Sequence, residues 1–126
     1  MPRFRTGQPI LLEIGFVEIE VFPDGVHMFW PDDTHVQGFK HDTDDYRKTA
    51  SRLGYDDDTG AMCREHELMH VWLAHRLRLP SHVMDLLRGR PFDQRMAGLE
   101  EDMVMAVQKY CRALGIDLVE HLLNED

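Results

Sequence analysis

The sequence is short of several things, and each shortage narrows what the chain can be. No apolar run approaches the ~20 residues that a membrane-spanning helix needs. Basic residues are outnumbered: 14 Lys and Arg stand against 23 Asp and Glu in 126 residues, a formal net charge of -9 at pH 7. A surface that acidic repels phosphate backbones and anionic lipid heads, so neither nucleic acid nor a membrane surface is an expected partner. The two cysteines, Cys63 and Cys111, are far apart and form no CxxC pair. That excludes a disulfide scaffold and makes the reducing cytoplasm the expected compartment. The N-terminal stretch Met1–Gly7 carries charge, but the short apolar segment after it is broken by Glu13, so it does not read as a signal peptide. Repeats and low-complexity linkers are also lacking.

What remains reads as a single globular domain spanning residues 1–126. Hydrophobic residues make up 43% and charged residues 29% of the chain, within the ordinary globular range. A chain of this length buries about two-thirds of its unfolded surface, enough for one core. Residues 1–40 read mostly as strands and 41–126 mostly as helices. In Ile10–Ile14 and Phe16–Phe22 apolar and acidic residues partly alternate; Val17, Ile19 and Val21 share one face and Glu18 and Glu20 the other, the pattern of a half-exposed strand. Pro23-Asp24-Gly25 supplies a turn, and Val26–Trp30 returns as the partner strand of a hairpin. Thr34–Phe39 fits a further short strand or a loop.

The helical part begins with the acidic start Asp42–Asp45 and a stripe of Tyr46, Ala50 and Leu53 that stops at Gly54. A second acidic cap, Asp56–Asp58, introduces a long helix from about Gly60 to Leu79, ended by Pro80. It is apolar around most of its circumference, which predicts a central position. Ser81 caps a short helix through Leu87, a long helix runs from about Gln94 to Leu114, and Asp117–Leu123 adds a final turn or two. The expected fold class is α+β: a small N-terminal antiparallel sheet packed on helices, with a central motif-bearing helix and a long C-terminal one.

The motif is His66-Glu67-Leu68-Met69-His70, an HExxH on the central helix. Residues four apart share one helix face with Cβ atoms ~5–6 Å apart. Two imidazoles so placed can reach one metal ion at ~2.0–2.1 Å. Glu67, rotated by ~100°, can take a proton from a water held by that ion without being a ligand itself. The histidines project into a sector otherwise holding Met62, Cys63, Met69, Leu73 and Leu77, where two imidazoles bonded to nothing would be expensive. Bonds to main-chain carbonyls are the alternative way of satisfying them.

On the motif helix and the order of elements, the chain resembles a minimal zincin-type metallopeptidase. The resemblance implies that His66 and His70 hold Zn2+, that Glu67 is the catalytic base, and that an edge strand beside the motif helix holds a peptide or protein substrate in extended form. The hairpin from Phe16 to Trp30 is the candidate for that strand. The resemblance also implies a Tyr or His that steadies the oxyanion, with Tyr55, Tyr110 and His121 all possible. Arg64 and Glu65, just before the motif, are both charged, whereas many zincins keep the second of these positions uncharged.

The extended pattern HExxHxxGxxH is absent, since Leu73 and Arg76 occupy its last two defined positions, and His75 points away from the site. A gluzincin-like arrangement, with the third ligand a Glu on a downstream helix, leaves Glu100 and Glu101. Glu100 falls inside the apolar stripe of Met96, Met103, Val104, Val107, Cys111 and Leu114, and Glu101 lies at its edge. Glu100 is therefore the first choice and Glu101 the alternative; either could instead be a first-turn acid on the helix dipole. Cys63 is a weaker soft-ligand candidate, Asp57 and Asp58 read as cap residues, and the metal phosphohydrolase reading of His41-Asp42 conflicts with the strand-rich N-terminus. The expected function is zinc-dependent hydrolysis of peptides, with a partner domain or homodimer completing the cleft. The alternatives are a catalytically inactive metal-binding or interaction module, and a scaffold whose motif is coincidence.

Overall fold

A computed structural model describes residues 8–124; Met1–Gly7 lies outside the described residues. Four strands, β1 (Ile10–Ile14), β2 (Val17–Phe22), β3 (Gly25–Phe29) and β4 (His35–Phe39), precede five helices, α1 (Asp44–Arg52), α2 (Thr59–Leu77), α3 (His82–Leu87), α4 (Gln94–Ala113) and α5 (Leu118–Leu123). The class is α+β, an N-terminal antiparallel sheet packed on helices.

The strands pair in sequence order, β1-β2-β3-β4, each antiparallel to the next. Tight turns make this order the simplest one. Gly15 takes φ +60 between β1 and β2, and Pro23-Asp24 joins β2 to β3. The register Ile10↔Val21, Leu12↔Ile19, Ile14↔Val17 continues through Val21↔Val26, Ile19↔Met28 and Met28↔Val36. Period-two alternation therefore puts every one of these apolar side chains on one face. That face joins α2 in a common cluster containing Val71, Leu68, Met69, Val104, Leu118 and Val119.

Within Thr34–Phe39, His35–Phe39 forms a strand at the sheet's edge. This corrects the expectation that the hairpin from Phe16 to Trp30 supplies an edge strand. In the hairpin from Phe16 to Trp30, β2 is paired on both sides and so is β3, so neither has main-chain groups free for another chain. The sheet's edges are β1 and β4, and β4 is the one on which Glu67 of α2 leans. Trp30 N–H donates to Thr34 O and Lys40 N–H to Asp24 O. Antiparallel alternation then turns Thr34, Val36, Gly38 and Lys40 toward β3 and leaves the main-chain groups of His35, Gln37 and Phe39 facing outward.

The helix ends follow local chemistry. Thr43, Asp58, Ser81, Asp93 and Asp117 each accept a main-chain N–H at a helix start, satisfying donors that otherwise have no partner. α2 closes at Arg78, which adopts a left-handed φ of 58. At the other end of α2, a Cβ on Gly60 would lie 2.8 Å from Pro23 O; the missing side chain lets the helix seat against the β2–β3 turn. Arg64 and Glu65, the charged pair before the motif, are both buried. Arg64 donates to Pro23 O at 2.9 Å, while Glu65 accepts from Tyr55 Oη and from Leu118 N. Charge at these two positions is thus consumed in fastening α2 to the sheet turn and to α5.

Candidate metal centre

His66 and His70 lie one turn apart on α2 and face α4, with ring centroids 4.8 Å apart. Their Nε2 atoms are 3.2 Å from each other. Glu101 of α4 closes the triangle: its Oε2 is 2.8 Å from His66 Nε2 and its Oε1 is 3.0 Å from His70 Nε2. Donor atoms of His66, His70 and Glu101 all lie within 4.8 Å of one another. Tetrahedral donors at ~2.0–2.1 Å from an ion sit ~3.3 Å apart, so a divalent cation fits after an opening of a few tenths of an ångström.

Behind these three residues stands a layer that fixes their orientation. His70 Nδ1 donates to Glu100 Oε2 at 2.5 Å. Glu100 is itself held by Ser81 Oγ at 2.7 Å and by the His82 main-chain N–H at 2.8 Å. His66 Nδ1 donates to Gln108 Oε1 at 2.7 Å, and Gln108 Nε2 donates to Met62 O and to Tyr55 Oη. Each imidazole thus spends its Nδ1 proton on a fixed acceptor and aims Nε2 at the common point. A ligating histidine needs this arrangement, because the outer acceptor fixes the tautomer and raises the ring's basicity.

Of the two candidate acids, Glu101 faces the Nε2 pair, and Glu100, the first choice on the sequence, stands behind His70. The reason lies in the phase of α4. Its buried residues are Ala97, Val104 and Gln108, so the seam runs 97–101–104–108. Met96, Met103 and Leu114, which set the apolar stripe in the sequence reading, are exposed. Gln108 is fully buried but polar, and a stripe drawn through apolar residues alone misses it and swings toward Glu100. The signal for Gln108 was positional: it lies seven residues, two turns, beyond Glu101.

Charge in the site is strongly coupled. Burial alone would lower the His70 pKa, but Glu100 and Glu101 override it and hold the ring at about 9. Burial would likewise raise Glu101, yet its bonds to His66 and His70 pull it well below the usual carboxylate range. Glu67 goes the other way: burial pushes its carboxyl up against the opposing pull of His66 and His70. Glu67 is off the triangle. It leans on β4, where a Cβ added to Gly38 would come within 2.6 Å of Glu67 Cγ. Gly38 is what permits this close approach.

The remaining sequence candidates disperse. Tyr55 is committed to Glu65 and Gln108, Tyr110 is exposed on α4, and the His121 ring packs on Trp72. His75 lies against Gly15. Cys63 is buried, with burial raising its thiol to about 11 and a hydrogen bond from Tyr46 opposing that rise. Tyr46, which its spacing placed only on the apolar stripe with Ala50 and Leu53, lines a cavity of about 230 Å³ with Cys63, His66, Glu101 and Met105. Burial raises its phenol, helped by the bond to Cys63 and by the charges of Glu67 and Glu101, so it stays protonated. An apolar cavity of about 240 Å³ is walled by His70, Leu73, Leu77, Leu99, Glu100 and Met103. Among the described residues no helix is long and apolar enough to cross a membrane. Comparison with family models, with curated proteins and with solved structures finds nothing that matches this chain.

Proposed function

We propose that this chain is a small metal-dependent hydrolase acting on peptides, with His66, His70 and Glu101 as the ligands of a zinc ion. The observation that carries the reading is the convergence of both Nε2 atoms and the Glu101 carboxylate on one point, with a desolvated Glu67 beside it. An N2O donor set suits zinc among the common divalent ions. When bound, the ion supplies a Lewis acid that acidifies water and polarises a carbonyl.

The chain's own groups then have distinct tasks. Glu67 takes the proton of the attacking water and passes it to the leaving amine; burial raises its basicity for that step. Glu100 and Gln108 hold the two imidazoles in their productive tautomers. Tyr46 keeps its proton and donates to the developing oxyanion by exchanging its bond to Cys63. The outward main-chain groups of His35, Gln37 and Phe39 suit an extended peptide added as a fifth strand. Two free thiols, Cys63 and Cys111, suit a reducing cytoplasm.

One observation favours a second reading, a non-catalytic module. A protonated His70 between Glu100 and Glu101 satisfies the cluster without any ion. Metal analysis of protein prepared without chelator or affinity tag separates the two. For the enzymatic reading, Glu67→Gln should retain the metal and lose at least ~10²-fold in hydrolysis of an unstructured protein such as casein. Equal rates for parent and variant would overturn the assignment of the base.

A further inference from the structure

The outer face of the sheet carries a second pair of histidines that the proposed function does not use. His27 on β3 stands opposite Glu20 on one side and Gln37 on the other, and His35 on β4 stands opposite Phe29. The two histidines are therefore diagonal neighbours on one face, within reach of each other. Their facing nitrogens, His27 Nε2 and His35 Nδ1, are 3.1 Å apart.

The rings are also held in place. The His27 ring lies against Phe29 at a tilt of 37° with centroids 4.2 Å apart, and its side chain is only 18% exposed. His35 lies near-parallel to the same Phe29 ring, at 24°. Glu20 Oε1 sits 3.7 Å from the other nitrogen of His27, Nδ1. At that distance its charge favours a proton on Nδ1, and Nε2 faces His35 Nδ1 at hydrogen-bond distance. The field is favourable too: Glu13 and Glu18 oppose each other directly on the same face, next to Glu20, and a carboxylate-rich surface concentrates cations.

We propose that His27 Nε2 and His35 Nδ1 chelate a second divalent transition-metal ion on the outer face of the sheet. Cis donors at ~2.0–2.1 Å from an ion are ~2.9–3.3 Å apart, a range that contains the observed 3.1 Å. Imidazole pairs prefer the late end of the first row, so Ni2+ and Cu2+ are the expected occupants, with water completing the shell. The site is independent of His66 and His70. It would tie β4, the edge strand, to β3 on the face opposite Gly38.

Ni2+ titration of the untagged chain at neutral pH, read by calorimetry, tests it. The parent should take up two ions per chain, and His27→Gln and His35→Gln should each take up one, with unchanged melting in the absence of metal. If the α2–α4 centre fails to bind, the parent takes one ion and the variants none; that outcome supports the outer site while removing the metal from the proposed function. Equal stoichiometry in parent and variants overturns the proposal, as does a parent that binds no ion. In the unaltered chain, substoichiometric Cu2+ should broaden the ring proton resonances of His27 and His35 in NMR spectra; sharp signals from both would also overturn it.

Discussion

Toward the sheet, α2 contributes Val71 to an apolar cluster with Ile19, Val21, Val26 and Met28. Toward α4, the same helix offers His66 and His70 to Glu100, Glu101 and Gln108. The first contact is non-directional: apolar area leaves water, and many shapes of roughly the right volume would serve. The second is directional: each polar atom needs a named partner, because a buried group left unsatisfied costs about 1–3 kcal/mol. One helix thus keeps stability and chemistry on separate faces. The sheet side is mainly apolar, and on the α4 side the polar contacts are set beside Val104, which joins the same apolar cluster.

That division can be attacked from both sides. The largest effect is expected at Met28, which is fully buried in β3. Met28→Ala should lose about 2–5 kcal/mol in denaturant unfolding, with metal content per folded chain unchanged. Loss of metal in the folded variant would mean that the two faces are not separable. Next come the two acids of α4. Glu100→Gln should weaken metal binding ~10–100-fold at unchanged stoichiometry, as removal of an outer-layer partner does, and Glu101→Gln should weaken it further. The reverse order would restore Glu100 as the third ligand.

Gly38→Ala probes the seam between the faces. A methyl there must displace Glu67, so turnover should fall by up to ~10²-fold while bound metal is retained. Undiminished turnover would mean that the position of Glu67 is not critical. The smallest effect belongs to an exposed network. Thr34 hydrogen bonds, together with Arg88 and Arg90, lower Asp32 from 3.8 to about 2. A depressed carboxylate contributes stability above its unfolded pKa and loses it as pH falls through the folded one. The stability difference between parent and Asp32→Asn should therefore be constant above about pH 5 and shrink steadily as pH falls toward about 2; a difference as large at about pH 2 as at about pH 6 would rule out linkage to this group.

The amino-acid order alone determined more of the first face than of the second. Alternation in Val17–Val21, the turn at Pro23-Asp24, the acidic caps and the stop before Pro80 all depend on near neighbours, and the strands and helices follow them closely. The HExxH spacing likewise put two imidazoles on one side of a helix, because 3.6 residues per turn is a local constant. Tertiary structure decided what meets those imidazoles. Whether Glu100 or Glu101 faces them depends on the rotation of α4 about its axis, a matter of some 100°, set by the packing of Ala97, Val104 and Gln108. β4 reaches the open edge by pairing with β3, its neighbour in the chain, but the contact of Glu67 with Gly38 joins α2 to a strand far from it in sequence. Periodicity reports the faces of a single element; which two faces meet is fixed only when the whole core closes.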